Sequence, residues 1–130
     1  ALEHARVQAD PNYVLISALR DFKTPAIPFA KMAWQFIKAP EGTYFVTGDL
    51  PVVHCNPKIS HALFEVPLED PAIEITFPLS RNLCALGRWS DFRGRYGLAS
   101  EETVRIINQR TVAASGRYVY SPTNDSRLWA

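Results

Sequence analysis

Residues 32–42 constrain this chain more than any other stretch. Met32, Trp34 and Phe36 alternate with Ala33, Gln35 and Ile37, the period of two that sets successive side chains on opposite faces of a strand. Ala39-Pro40-Glu41-Gly42 follows, a turn in which proline pre-sets φ and glycine supplies a positive-φ position. Thr43 to Thr47 then returns as a partner strand. The expected product is a β-hairpin over about residues 32–47.

Other elements arrange themselves around that hairpin. Asp10-Pro11 caps and opens a helix over about 11–22, with Leu15, Ala18, Leu19 and Phe22 on one side. Residues 48–72 hold Pro51, Pro57, Pro67 and Pro71 and read as loop with a short extended piece near Val52. Ile73, Ile75 and Phe77 alternate in a strand near 72–77 that ends at Pro78, and Asn82 to Leu86 reads as another near 82–86. Gly87 to Ala99 reads as loop. Ser100 caps a last helix over about 101–115, Glu101 and Glu102 favour its positive end, and Gly116 is the expected left-handed stop. Tyr118 to Tyr120 adds a short closing strand. The fold class is α+β: a mostly antiparallel sheet with the two helices packed on it.

The length of 130 residues suits a single domain. An apolar share of 47% with 21% charged residues excludes a disordered chain. No apolar run approaches the length that spans a bilayer, and the N-terminus lacks a signal-peptide layout, so the expected location is the cytoplasm. The chain does not begin with methionine and is read as a processed product or a piece of something longer. The two cysteines, Cys55 and Cys84, are too few for a disulfide framework. They read as reduced, partly buried thiols, with a single bridge as the alternative.

Net charge is +1, but it is unevenly spread. Residues 81–130 carry eight arginines against four carboxylates, whereas residues 1–80 are net acidic. Arginine's planar fork suits phosphate and carboxylate.

The order of short motifs resembles an uncharacterised bacterial family, domain of unknown function 4238. The resemblance rests on Trp34 to Gly42, then Phe45-Val46-Thr47-Gly48-Asp49-Leu50-Pro51-Val52-Val53. It continues with Phe77-Pro78-Leu79-Ser80, Val104-Arg105-Ile106-Ile107-Asn108 and Arg117-Tyr118-Val119-Tyr120-Ser121. It runs from about Trp34 to Tyr120 and implies the C-terminal half of the family only. Gly48 stands where the family commonly has serine, and Leu50 where it has asparagine. The family's N-terminal half, opening on a His-Tyr-Val-Pro-type motif, is not found. If that half supplies part of a site, this chain is a non-catalytic remnant or fragment. The resemblance implies no activity.

Two groups of residues are candidate sites. Asp49, just past a strand end, and Asn108 are cleft candidates: a carboxylate there beside an amide and an arginine suits a metal or a base. The competing reading has Asp49 bonding the backbone of its own turn before Pro51. The segment 88–97 interleaves Arg88, Arg93 and Arg95 with Trp89, Phe92 and Tyr96. Arginine neutralises phosphate and aromatic rings stack on bases, so these six residues are the candidate anion or nucleic-acid site. The competing reading is a surface loop with its aromatics tucked inward. His4, His54 and His61 with Cys55 match no metal-ligand spacing, and neither a nucleophile motif nor a phosphate loop is present. No metal and no cofactor is expected.

The expected function is a binding or interaction module without catalysis of its own. Nucleic-acid binding and a remnant metal-dependent hydrolase or nuclease are the alternatives. A second copy of the chain, another protein or nucleic acid are the partners left open; a membrane is not.

Overall fold

The computed structural model describes residues 28–59, 66–92 and 94–130. The chain divides into two compact units, Ala1–Lys31 and Met32–Ala130. In the first, residues 28–31 are helical; the helix expected over 11–22 lies outside the described residues. The second unit holds both sheets and the long helix.

Its centre is a hairpin, though not the expected one. Strands β4 (Glu74–Ser80) and β5 (Leu83–Arg88) pair antiparallel through a turn at Arg81-Asn82. The Ser80 hydroxyl accepts the Asn82 N–H at 3.2 Å in that turn. β1 (Ala33–Lys38) joins β5 antiparallel, and β3 (Val53–Cys55) joins β4 antiparallel. β6 (Tyr96–Leu98), inside the stretch expected to be loop, adds to β1 in parallel. The order is β3-β4-β5-β1-β6. A two-stranded sheet, β2 (Thr47–Gly48) with β7 (Val119–Tyr120), stands apart.

The α+β, mostly antiparallel class holds, with strands where residues 33–38, 74–80 and 83–88 alternate. Three details are corrected. β1 does not pair with residues 43–47, because β5 and β6 occupy both of its edges. The Pro40 turn does form: Thr43 N–H bonds Pro40 O at 3.1 Å and Gly42 adopts φ 79°. Its arms are then held apart by the β4–β5 turn, since Ala39 N–H donates to Asn82 O and Phe45 N–H to Arg81 O. β4 also runs on through Pro78. β3 reaches only Glu74 to Thr76, so proline's missing donor falls where the strand has no second neighbour.

The third correction concerns the helix α1 (Glu101–Ala114), which starts as expected: Ser100 Oγ accepts the Thr103 N–H at 3.1 Å. Its C-cap is Ser115, and Gly116 does not take positive φ. The chain leaves extended instead, because the next two N–H groups are claimed by Asp49, outside the helix.

Cross-strand partners share a sheet face, and α1 covers one of them. Ile37 and Cys84 meet Val104 and Ile107 there, with Ala39, Phe45 and Ala99 completing the core. Arg110 of α1 pairs with Glu74 of β4 at 2.7 Å. A second cluster joins Tyr44, Val46 and Leu128, with Val112 and Trp129 against it. Residues 44–46 therefore feed two cores by simple alternation. Among the described residues no helix is long and apolar enough to cross a membrane.

Candidate functional site

Asn108 projects from α1 and is fully buried. Its Oδ1 accepts the Val46 N–H at 2.9 Å and its Nδ2 donates to Tyr44 O at 2.9 Å. A residue on a parallel strand would bond the same two groups, the carbonyl before Phe45 and the amide after it. The side-chain amide thus takes the place of a neighbouring strand for residues 44–46, and the two hydrogen bonds it makes both go to backbone.

Asp49 works in the same manner three residues on. Its two oxygens accept the Gly116 N–H at 2.9 Å and the Arg117 N–H at 2.8 Å. The Arg117 N–H above all holds its carboxyl below the usual aspartate range; desolvation, next in size, opposes it, and the Gly116 N–H adds a smaller lowering. The carboxylate serves backbone, as the competing reading expected, but the backbone beyond α1 rather than its own turn. These bonds are what pull Gly116 out of the left-handed cap.

Between these anchors, Thr47 and Gly48 pair with Tyr120 and Val119, and Asp49 N–H bonds Tyr118 O at 3.2 Å. Residues 44–49 are therefore stitched to α1, to the segment after it, and through Arg81 O to the β4–β5 turn. The motifs singled out in the sequence bind one another. A Cβ on Gly48 would lie 3.0 Å from Tyr118 O and collide with the Ser115 hydroxyl, which itself bonds Thr111 O at 2.7 Å. Ser115 fills the space a side chain at 48 would need.

In the 88–97 segment some polar groups are held by the protein itself, although Arg88 Nε is buried without a hydrogen-bond partner among the described residues. The Arg88 guanidinium sits 3.8 Å from the centre of the Phe92 ring, and its Nη2 donates to Asp91 O at 3.1 Å. The Trp89 indole donates to Leu68 O at 2.7 Å. Two of the six residues thus point their polar groups back into the protein, and Phe92 is covered by an arginine. Arg93 lies outside the described residues. Arg95, just before β6, and Tyr96, its first residue, are exposed.

Cys55 and Cys84 are free, buried thiols. Burial raises both, Cys84 to about 12. His54, half-buried in β3, is held below its usual range by desolvation, partly offset by a backbone bond with Val66. His4 and His61 lie outside the described residues. Among the described residues no set of three or more His, Cys, Asp or Glu side chains is grouped to hold a metal ion.

Clefts open to ligands lie around the β4–β5 turn and the C-terminal segment, and another of about 310 Å³ is lined by residues including Lys58, Glu74 and Arg88. A cleft of about 610 Å³ is lined by Lys38, Thr43, Tyr44 and Arg81 on one side and Thr123 and Asp125 on another. A smaller one, about 230 Å³, lies between Phe45, Leu79 and Tyr120. A third, about 510 Å³, runs from Val119 to Trp129. On the sheet, β6 presents Tyr96 at 73% and Leu98 at 74% exposure. None of these clefts was legible as a site in the sequence. Tyr96-Gly97-Leu98 does alternate, but three residues are too few to mark a strand.

Fold and site together define an α+β domain in which Asn108 and Asp49 hydrogen-bond backbone groups distant in sequence. The chain belongs to the family described as Protein of unknown function (DUF4238), whose model matches residues 4–125. The match covers most of the chain and begins well upstream of Trp34, where the sequence resemblance began, so kinship is not confined to the C-terminal part. No curated protein and no solved structure matches it.

Proposed function

We propose that this domain is an interaction module without catalysis of its own, and that it pairs with a second copy of itself along β6. The observation that carries this reading is the β6 edge. Arg95 O and Ala99 N–H bond β1; by alternation Gly97 also faces β1, and the N–H and C=O of Tyr96 and Leu98 turn outward. Among the described residues nothing pairs with this edge, and an edge of this kind is a template for another strand.

The edge suits its own copy. In an antiparallel pair centred on Gly97, Tyr96 opposes the partner's Leu98 and each outward group finds a complement. An exposed aromatic ring then packs on an exposed aliphatic side chain, a favourable cross-strand pair. The same register sets Arg95 opposite the partner's Ala99, two residues from the acidic first turn at Glu101 and Glu102. Against catalysis stands the use of Asp49 and Asn108 as backbone anchors.

Sedimentation over a range of concentrations tests the reading. The expected species is a dimer that Leu98→Pro converts to monomer without loss of fold, since that N–H faces away from β1. A monomer at every concentration, or a dimer indifferent to Leu98→Pro, sinks it.

A further inference from the structure

We infer that the cleft along residues 119–129 binds an uncharged polyhydroxylated ligand, a pyranose unit of a neutral glycan. Val119, Tyr120, Ser121, Thr123, Asn124 and Trp129 line about 510 Å³, within the range of small-molecule sites. None of the six carries a formal charge at neutral pH, so a phosphate or carboxylate finds no counter-charge in the lining. They offer instead what a sugar ring needs: an aromatic face for its C–H side, and hydroxyls and an amide for its rim.

The ring face is exposed. Tyr120 is 57% exposed and stacks with Tyr118, itself 57% exposed, their centroids 6.4 Å apart at an interplanar angle of 27°. The pairing of β7 with β2 holds Tyr120, and the Asp49 N–H on Tyr118 O holds Tyr118. The Asn124 amide makes no hydrogen bond among the described residues, and Ser121 Oγ accepts only the Thr123 N–H, at 3.3 Å; its own proton is available.

The far wall is rigid. Buried Tyr44 donates its phenolic proton to Asp125 O at 2.7 Å. The 2.8 Å contact with Thr123 Oγ1 must then be donated by Thr123, since a phenol has one proton. Thr123 Oγ1 in turn accepts the Asp125 N–H at 3.2 Å. Trp129 meets the Tyr44 ring edge-on, with centroids 6.2 Å apart. A loop held this way loses little freedom on binding.

Trp129 makes the cleft self-reporting. The full chain is titrated with maltohexaose, cellohexaose and N-acetylchitohexaose up to about 10 mM, following indole fluorescence with Trp129→Phe as the control for the other tryptophans. Saturable binding to at least one is expected. It should weaken at least about tenfold in Tyr120→Ala, change little in Tyr120→Phe, which keeps the ring, and be unaltered in Leu98→Pro, which carries the separate β6 lesion. Circular dichroism confirms that each variant is folded. No binding to any of the three overturns the inference. So does binding that survives both Tyr120→Ala and Asn124→Ala, or a preference for a single-stranded oligonucleotide at the same Tyr120-dependent site.

Discussion

Val46 donates its backbone N–H to Asn108 Oδ1 across 2.9 Å, and both residues are buried. With the Tyr44 carbonyl bonded to the same amide, one side chain satisfies two peptide groups that would otherwise be buried without partners. Asn108→Ala is expected to leave both unpaired and to cost about 3 kcal/mol, since each orphaned group costs about 1–3. Denaturant unfolding measures it; a loss below about 1 kcal/mol would mean that water or a shifted backbone replaces the amide.

Asp49 predicts an acid limb in the stability profile. Its folded-state carboxyl lies below its unfolded value of 3.8, chiefly through the Arg117 N–H. The sign follows: a depressed carboxylate stabilises above the unfolded value, and that contribution is lost as pH falls through the folded one. Asp49→Asn should therefore be less stable than wild type at neutral pH, and the gap should narrow progressively below about pH 4. A gap constant from neutral to strongly acid pH would show that charge plays no part in holding Gly116 and Arg117.

These two anchors also mark where sequence reading stops. The strands at 33–38, 74–80 and 83–88 and the helix at 101–114 were legible because their side chains alternate or recur by local rules. Ser100 announced its cap three residues ahead. The pairing was not legible, because β1 could close on either neighbour and the choice depends on carbonyls of Arg81 and Asn82 some forty residues away. Residues 43–47 did alternate into two cores, but their hydrogen bonds go to an asparagine on α1. Gly116 looked like a helix stop, and only Asp49, distant in sequence, overrides that. Nor can composition show that the Arg88 guanidinium lies on Phe92 or that the Trp89 indole is bonded to Leu68.

The thiols give a third test. Cys84 is fully buried with its thiol pushed up to about 12, and Cys55 is raised in the same direction by burial. Since the thiolate is the reactive form, neither should react with an aromatic disulfide reagent at pH 8 while the protein is native. Both should react once it is unfolded in guanidinium, with no reductant required. Rapid modification of the native protein would show that β3 or β5 opens readily.

Thr76 tests how far the sheet core tolerates polarity. Its side chain is completely buried, on the face of β4 that α1 covers, and its Oγ1 has no hydrogen-bond partner among the described residues. Val53 and Leu86 flank it in the neighbouring strands. A hydroxyl taken from water without a partner is a net cost, and valine has nearly its shape and suits a strand equally well. Thr76→Val is therefore expected to stabilise the protein by about 1 kcal/mol, raising Tm by several degrees for a unit of this size. A fall in Tm would mean that the hydroxyl is satisfied in solution, by water or by movement of a neighbouring carbonyl, and that this part of the sheet is less dry than its burial implies.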